Sequence, residues 1–380
     1  MIYLDNAATS FTKPPAVLRE VYRCISEYCG NPGRSGHRLS LAAAKKVFEC
    51  RTLASELVGL PDPSGIIFTQ NTTHAINLAI KGILKRGDHV IISDIEHNSV
   101  LRPVSRLADE GVIEYDIFSS RVCEGRKNPS LICASIAKRL KKNTRAVVCA
   151  HASNICSGTL PIAEIGSFCK KHGILFIVDA AQSAGHLPID MAKMGIDALC
   201  APAHKGLYGI QGAGFLALSP SLHSSLDTLT EGGNGINSLE RAMPDFSPER
   251  YEAGTLATPA IAGLCEGIRH ISTVGIESIH AHECELYKRA EESLMNIRGI
   301  KVYLPDVQGS VLLFNKEGIA SEELAAHLDS YGICVRGGYH CTPLAHKTLS
   351  TPEGGAVRVS FGIFNKKSDV DALAYAVSKL

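Results

Sequence analysis

The fold is decided by residues 174–219, ILFIVDAAQSAGHLPIDMAKMGIDALCAPAHKGLYGIQGAGFLALS. Three short apolar runs lie in this stretch, at 174–181, 198–203 and 214–219. They are rich in large apolar residues and show little alternation, which is typical of strands covered by helices on both faces. Asp179 stands near the end of the first run, and Lys205 follows the second. The stretch therefore predicts the centre of a parallel sheet with chemically active side chains at its carboxyl edge.

The same pattern extends toward the N-terminus, where further apolar runs lie at 65–70, 89–94 and 145–152. In the intervening segments, apolar residues recur every three or four positions. Residues 41–60 form one such helical segment, and in a second, at 159–173, Pro161 suits the first helical position. Strand followed by helix, repeated, predicts an α/β fold: a large domain with a mostly parallel sheet flanked by helices.

The pattern changes after about residue 260. Residues 263–299 predict two helices or one long broken helix, and another helix is predicted from Ser321 to Tyr331 among short apolar runs. A chain of 380 residues also favours two lobes. We therefore predict a large domain at 14–258, and a smaller α+β domain formed by 1–13 together with 259–380.

Composition argues against several classes of protein. Lys and Arg number 39 against 38 Asp and Glu, and no basic stripe suggests binding to nucleic acid. No apolar run is long enough to span a bilayer, and the N-terminus lacks the basic region of a signal peptide. The 13 Cys include no CxxC pair, which argues against a disulfide framework or a zinc ribbon. We expect a cytoplasmic protein with reduced thiols, without a metal site or a membrane partner.

Lys205 stands between His204 and a glycine-rich turn. It could be a solvated loop lysine, or form an ion pair with Asp179, because the ends of parallel strands meet at one edge of a sheet. The alternative is chemical: a desolvated lysine becomes a nucleophile toward aldehydes, and a buried Asp can pair with a protonated ring nitrogen. A Lys and an Asp in these roles are the protein groups that pyridoxal phosphate needs.

Three further residues fit the same ligand. Thr72 and Thr73 stand where a helix begins, and a helix N-terminus binds phosphate, although Thr is also a common N-cap. His97 follows a strand end, where its ring could lie against an aromatic ligand or serve as an ordinary loop histidine. The segment GIQGAG and the sequence around it do not match the motif GxGxxG after a strand. This mismatch argues against a dinucleotide-binding enzyme.

Arg358 lies inside a strand-like segment, with Val357, Val359 and Phe361 on the opposite face. An Arg in a strand is usually a charge at the rim of the sheet. The functional alternative is a bidentate fork that binds a carboxylate.

Cys341 lies in the segment RGGYHCTPLAH, at 336–346. Arg336 and His340 are nearby cationic groups that would stabilise a thiolate. The alternatives are an inert loop thiol, or a metal site formed by His340, Cys341 and His346, for which no fourth ligand stands nearby in the sequence.

Eight motifs in register carry a resemblance to a known family. They are YLDNAATSFTKPP (3–15), QNTTHAINL (70–78), EHNSVL (96–101), HASNICSGTLPI (151–162), VDAAQSAGHLPID (178–190), AHKGLYGIQGAG (203–214), YEAGTLATPA (251–260) and VRGGYHCTPLAH (335–346). Together they resemble the class V aminotransferase family of fold-type I pyridoxal-phosphate enzymes. Within it the chain is most similar to the cysteine desulfurases, in the group of the SUF-type enzymes and selenocysteine lyases.

The resemblance implies a role for each matching residue. Lys205 matches the lysine that forms an imine with pyridoxal phosphate and shuttles protons, and Cys341 matches the cysteine that carries the sulfur as a persulfide. The other matches are Asp179 at the ring nitrogen, Gln182 at the ring hydroxyl, His97 stacked on the ring, Thr72, Thr73 and His204 at the phosphate, Thr255 as a phosphate ligand from the other subunit of a homodimer, Asn154 and Arg358 at the substrate carboxylate, and Arg34 and His37 at the site entrance.

The implied activity converts L-cysteine to L-alanine and passes the sulfur from Cys341 to an acceptor protein. The pathway stays open among iron–sulfur cluster assembly, tRNA thiolation and cofactor synthesis. Two rival functions share the fold: a selenocysteine lyase or another C–S lyase that acts on cysteine conjugates or cystine, and a scaffold without activity.

Two departures from the family pattern bear on these roles. Pro202 replaces a Ser or Thr that commonly binds the phosphate, so one hydroxyl contact is missing. A hydrogen bond to a charged group contributes about 1.5–3 kcal/mol, so cofactor affinity is expected to be lower unless another group compensates. Tyr339 and Thr342 stand at positions around the cysteine that the family often fills differently, and partner or substrate preference could shift there.

Overall fold

The computed structural model describes residues 1–124, 128–303 and 309–380. Its strands are β1 (Ile2–Tyr3), β2 (Ile66–Thr69), β3 (His89–Ser93), β4 (Glu114–Phe118), β5 (Thr144–Ala150), β6 (Leu175–Asp179), β7 (Ala198–Pro202), β8 (Gly214–Leu218), β9 (Ile300–Tyr303), β10 (Val311–Lys316), β11 (Ile333–Cys334) and β12 (Val357–Ser360). Its α-helices are α1 (Pro15–Arg23), α2 (Arg38–Leu57), α3 (Thr72–Ile83), α4 (Asn98–Asp109), α5 (Pro129–Ala137), α6 (Ile162–His172), α7 (Met191–Met194), α8 (Thr258–Val274), α9 (Ile276–Met295), α10 (Ser321–Ser330), α11 (Pro343–Thr348) and α12 (Lys367–Ser378).

Seven strands form the central sheet, in the order β2-β8-β7-β6-β5-β3-β4. Neighbouring strands are parallel except where β8 pairs with β2 and β7. The α/β prediction with a mostly parallel sheet is confirmed, and every predicted strand is present. The sequence pattern does not reveal β4, because this edge strand carries the exposed Glu114 and the half-buried Asp116 in place of a continuous apolar run.

Hydrophobic clusters cover both faces of this sheet. Val147, Phe176 and Leu199 pack into one cluster, and the residues that follow each of them, Val148, Ile177 and Cys200, pack into the other. Successive side chains of a strand point to opposite faces, so a strand with both faces covered needs apolar residues at every position. This arrangement explains why the central strands lack alternation.

A third cluster lies under the C-terminal part of the chain, beside the antiparallel sheet β12-β10-β9. Leu4 packs in this cluster, and β1 pairs in parallel with β11, so the N-terminus lies on C-terminal elements. Helix α8 packs into the first cluster, whereas Leu286 and Leu294 of α9 pack into the third. The domain division at 14–258 remains a prediction. Helix α8, which this division assigns to the smaller domain, packs into the same hydrophobic cluster as the large sheet.

Glycine and proline positions set several helix ends. Two helices, rather than one, occupy 263–299, because Gly275 takes a φ of 88° between α8 and α9. Gly173 ends α6 with a left-handed φ of 64°. Pro161 lies one residue before α6 and not at its first helical position as predicted; its carbonyl accepts the N–H of Ile165. In the described part of the chain, no helix is long and apolar enough to cross a membrane.

Candidate active site

A cavity of about 210 Å³ lies at the carboxyl edge of the central sheet. Asp179 is the last residue of β6 and pairs with strands β5 and β7 on either side. Eight of the predicted site residues line this cavity: Thr72, Thr73, His97, Asn154, Asp179, Gln182, His204 and Lys205. The strand and helix ends therefore bring together residues that are far apart in sequence, as expected for an open parallel sheet.

Burial controls the charge of the two central residues. Asp179 is only 5% exposed, and its Oδ1 accepts the Ala181 N–H at 2.9 Å. Burial raises the pKa of Asp179 and lowers that of Lys205 to about 8, while Asp179 partly opposes the second effect. Among the described residues no ion pair joins the two side chains, so the simple ion-pair interpretation is not supported. A cationic ring near Asp179 would favour its charged form.

The N-terminus of α3 has the features of an anion site. Asn71 caps the helix by accepting the His74 N–H at 2.9 Å, and the first N–H groups of any helix lack partners within the helix. Thr72 Oγ1 is buried and has no hydrogen-bond partner in the described part of the structure. An anionic ligand at this helix end would satisfy both kinds of donor.

His204 lies at the wall of the same cavity. Its Nδ1 is 3.0 Å from Thr9 Oγ1, and burial lowers its pKa to about 4, so the imidazole is neutral. Pro202, at the end of β7, is buried and offers no hydroxyl, as the sequence implied. Thr9 places a different hydroxyl beside His204.

His97 caps α4 and is held in one orientation. Its Nδ1 accepts the Ser99 N–H at 3.0 Å, so the proton of the neutral ring resides on Nε2. Burial first, and then the charge of Lys205, lower the pKa of His97 to about 4. A neutral ring fixed in this way is suited to lie against a planar ligand in the cavity.

Gln182 connects the cavity to the N-terminal segment. Its Nε2 donates to the Ala7 carbonyl at 3.0 Å. The amide carries a second N–H, so this bond does not exhaust its capacity to donate.

Arg358 is placed differently from the expectation. It is 1% exposed and does not line the cavity; its Nη1 donates to the Asn154 carbonyl at 3.0 Å, and its Nη2 pairs with Asp5 at 2.6 Å. Val357 and Val359 pack on the other face of β12, as predicted. The guanidinium is therefore engaged by the protein in this structure.

Asn154 lines the cavity, but its amide is also engaged. The Nδ2 donates to the His340 carbonyl at 2.9 Å, and the Oδ1 accepts from Thr342 Oγ1 at 2.6 Å. The side chain thus anchors the loop that carries Cys341.

Arg336 is a cavity residue that the sequence reasoning considered only as a neighbour of Cys341. An isolated antiparallel bridge places its backbone beside Arg358. This pairing depends on the tertiary structure and leaves no signal in the local sequence. Among the described residues, Arg336 is the arginine that lines the cavity.

Cys341 is exposed in a second cleft of about 320 Å³, which shares Thr73, His97 and Ser99 with the cavity. Its Sγ lies 3.8 Å from Arg336 Nη2. The structure therefore places an exposed thiol next to the cavity, separated from it by a shared wall.

The metal-site alternative for Cys341 is not supported. His340 Nδ1 and His346 Nε2 lie 3.2 Å apart, so these nitrogens bond to each other while the thiol faces the exposed cleft. Among residues 1–124, 128–303 and 309–380, no group of three or more His, Cys, Asp or Glu is arranged to hold a metal ion.

Thr255, Arg34 and His37 are exposed and lie outside the cavity of this chain. Asn31 Nδ2 donates to Thr255 Oγ1 at 3.2 Å, and Arg34 donates to the Gly254 carbonyl at 3.0 Å. His37 caps α2 through Nδ1. These three residues belong to a surface near α2.

Comparison with known proteins agrees with this architecture. Residues 2–373 match the family described as aminotransferase class-V. A probable cysteine desulfurase from Methanothermobacter thermautotrophicus is 33% identical over 100% of this chain and 94% of the relative. The apo structure of the cysteine desulfurase from Thermococcus onnurineus has a TM-score of 0.90 at 32% identity, covering 100% of this chain and 94% of that one. A second structure, with glycine covalently linked to its pyridoxal-phosphate cofactor, shares the fold at a TM-score of 0.86 and 19% identity, covering 100% of this chain and 96% of that one.

The chain belongs to the class-V aminotransferase family. Within that family it is similar to cysteine desulfurases along its whole length, which confirms the resemblance inferred from the eight motifs and the fold-type I expectation. These similarities indicate an enzyme of this class.

Proposed function

We propose that this protein is a pyridoxal-phosphate-dependent cysteine desulfurase that converts L-cysteine to L-alanine and holds the released sulfur on Cys341. One observation carries the proposal: the cavity with Lys205 and Asp179 shares a wall with the cleft where the Cys341 thiol is exposed. A substrate held in the cavity beside Lys205 and Asp179 can therefore present its sulfur to the Cys341 thiol.

The residues present fit the cofactor. The buried, unpartnered Thr72 hydroxyl, with Thr73 and His204, would hold the phosphate, and the buried Asp179 carboxylate would hold a proton on the ring nitrogen. His97 would pack against the ring, and Gln182 would donate to its hydroxyl. When bound, the cofactor supplies an electron sink for the bond cleaved at the substrate α-carbon.

The protein residues then divide the remaining work. The Lys205 amine takes the α-proton of the substrate. It later returns a proton to the carbon skeleton that is released as alanine. The Cys341 thiolate, which has the Arg336 guanidinium 3.8 Å from its sulfur, attacks the substrate sulfur. A sulfur–sulfur bond forms as the carbon–sulfur bond breaks, and the electron pair of the broken bond stays with carbon. Alanine leaves, and Cys341 carries the persulfide.

We propose that Asn154 and Arg358 contribute to binding the substrate carboxylate, with Arg336 as an added participant. Arg336 lines the cavity, whereas Arg358 contacts Asn154 from behind it. In this arrangement Arg358 and Asp5 hold Asn154 in place while Arg336 offers the exposed charge.

The activity is tested by incubating the purified protein with pyridoxal phosphate, L-cysteine and a reductant. Alanine and sulfide are expected in equal amounts. Pyruvate and ammonia as the products, or no turnover, would exclude the proposal. A kcat/KM far higher for L-selenocysteine, retained in Cys341→Ala, would favour the selenocysteine lyase instead.

A pH dependence follows from the lowered pKa of Lys205. With a pKa of about 8, about one amine in ten is uncharged at pH 7, against about one in three thousand for a lysine at 10.5. The neutral amine is the nucleophile, so incorporation of pyridoxal phosphate into the apoprotein is expected to accelerate from pH 6 to 8 and then level off. A rate that still rises tenfold per unit above pH 9 would contradict this assignment, and Lys205→Ala provides the blank.

We propose a homodimer in which Thr255 of one chain reaches the phosphate site of the other. Six exposed apolar side chains on neighbouring segments support this arrangement: Leu18, Tyr22, Ile25, Leu39, Leu41 and Phe48. They lie on α1, α2 and the turn between them, near Arg34, His37 and Thr255. A patch of this kind on a monomer usually marks an interface.

Introducing a charge into this face is expected to separate the subunits. Leu41 and Tyr375 are both 58% exposed, and Tyr375 lies on α12, so Tyr375→Glu is a matched control for Leu41→Glu. Sedimentation should show a dimer for the wild type and the control, and a monomer with weaker cofactor retention for Leu41→Glu. A fully active monomeric wild type would refute the dimer.

We propose a cytoplasmic location and a protein as sulfur acceptor. No disulfide joins cysteines among the described residues, and Cys29 and Cys123 are exposed, which suits a reducing compartment. Exposure of Cys341 gives an acceptor access to the persulfide. Iron–sulfur cluster assembly is the pathway we would examine first.

A further inference from the structure

The Cys341 turn is left-handed at two consecutive residues that have a β-carbon, His340 with φ 52° and Cys341 with φ 57°. This conformation is uncommon and persists only where the surroundings hold it. Two hydrogen bonds to the backbone of the turn hold it: Asn154 donates to the His340 carbonyl at 2.9 Å, and the Asn98 N–H donates to the Cys341 carbonyl at 2.8 Å.

A second set of hydrogen bonds runs through two buried imidazoles that take no part in the proposed chemistry. His340 Nε2 lies 3.1 Å from the Arg336 carbonyl, and His340 Nδ1 lies 3.2 Å from His346 Nε2. His346 Nδ1 in turn lies 2.9 Å from Thr351 Oγ1. The two rings are stacked with their centroids 5.4 Å apart and their planes 10° from parallel.

The contacts determine where the protons reside. A carbonyl oxygen only accepts, so His340 Nε2 is the donor and the Nδ1 of the neutral ring accepts. His346 therefore donates from Nε2 and accepts the Thr351 hydroxyl proton at Nδ1. Burial lowers the pKa of His340 to about 3 and that of His346 to about 4, so both rings are neutral. The donors thus form one directed chain from Thr351 to the backbone of Arg336.

One end of this hydrogen-bonded chain is connected to the reacting groups, and the other end is connected to Tyr339. Arg336 lines the cavity, and its guanidinium lies 3.8 Å from the Cys341 thiol. At the other end, the Tyr339 ring packs edge-on against His346, with the planes at 77°, and its hydroxyl accepts the Gly354 N–H at 2.9 Å. The turn is therefore held in place by the contacts of Arg336 on one side and by the hydrogen bond from Gly354 to Tyr339 on the other.

We propose that His346 and His340 are positioning residues for sulfur transfer. The chain Thr351–His346–His340–Arg336 fixes the turn so that the Cys341 thiol and the Arg336 guanidinium meet at the edge of the cavity. Neither imidazole lines the cavity, so each acts through Cys341 and Arg336. This assignment rests on the proposed function of Cys341 as sulfur acceptor.

The test uses the cofactor-loaded protein and the variant His346→Leu, which keeps an apolar side chain but removes the donor and the acceptor. Its kcat for alanine release from L-cysteine is expected to fall about 10–100-fold, because a misplacement of about 1 Å can cost 100-fold. KM and the cofactor content should not change. Alkylation of Cys341 by iodoacetamide should slow severalfold. His346→Gln, which can still donate toward His340, should recover part of both rates.

Two further variants keep the test decisive. His327→Leu removes a half-buried histidine of α10 that bonds the Ala376 carbonyl at 3.1 Å, and it should behave like the wild type. If His346→Leu does not fold, Thr351→Val removes only the outer hydroxyl and should lower kcat and alkylation in the same direction, by less.

The outcomes separate this inference from the proposed function. Equal kcat and alkylation rates in His346→Leu and the wild type would overturn the positioning role. The positioning role would also be overturned if kcat and thermal stability both fall, KM changes, and His346→Gln recovers none of them. That pattern indicates a structural role alone. If the wild type itself releases no alanine, the proposed function fails, while the alkylation rates still report whether His346 holds the turn.

Discussion

Lys205→Ala is expected to release alanine from L-cysteine about 10²–10⁴-fold more slowly than the wild type, the usual contribution of a general acid–base group. The variant loses the Lys205 amine, which lines the cavity together with Asp179 and His97 and whose pKa is lowered by burial to about 8. It should also retain less pyridoxal phosphate through gel filtration. Initial rates of alanine release and the absorbance of the bound cofactor provide the measurements.

Two controls identify the cause of that loss. Lys205→Arg keeps the positive charge but cannot lose its proton at accessible pH, so it should be as inactive as the alanine variant. Lys193→Ala removes an exposed lysine of α7 and should leave the rate unchanged. Substantial activity in Lys205→Arg would show that charge, and not proton transfer, is what the site requires.

Cys341→Ser is expected to abolish transfer of sulfur while leaving the cofactor in place. A hydroxyl is a far weaker nucleophile than a thiolate, so the carbon–sulfur bond should persist. Alanine release should fall by about 100-fold or more, in line with the loss of a catalytic group. Cys123→Ser is the matched control, because Cys123 is another exposed thiol and does not line either site cleft.

The same variant separates the rival activities. A selenocysteine or C–S lyase can release its product without a persulfide on the protein, so Cys341→Ser would retain turnover of its best substrate. A scaffold without activity would show no difference between wild type and either variant. Retained turnover of L-cysteine by Cys341→Ser would therefore refute the persulfide assignment.

Much of the fold could be predicted because the central strands are covered on both faces. Such strands are apolar at almost every position, and that pattern is visible in 174–219. Edge strand β4 could not be found in this way, because one of its faces meets solvent and tolerates Glu114 and Asp116. Helix α8 contacts α1 and α2 and packs into the cluster that covers the large sheet, and local periodicity does not encode these contacts.

The candidate site was predictable to a similar extent. Residues at strand ends and helix starts converge by topology alone, so Asp179, Lys205 and Thr72 could be placed together from the sequence. The position of Arg336 depends on an isolated bridge to Arg358, and the engagement of Arg358 by Asp5 depends on the N-terminal segment. Thr255 lies outside the cavity of its own chain, so the phosphate-binding role proposed for it would require a second copy.

The central claim is that the sulfur of L-cysteine passes to Cys341, and mass spectrometry of the protein after exposure to L-cysteine without reductant tests it most directly. The account predicts the added mass of one sulfur atom on the peptide that contains Cys341, with one alanine released for each chain. An unmodified Cys341 accompanied by continued release of alanine would contradict it.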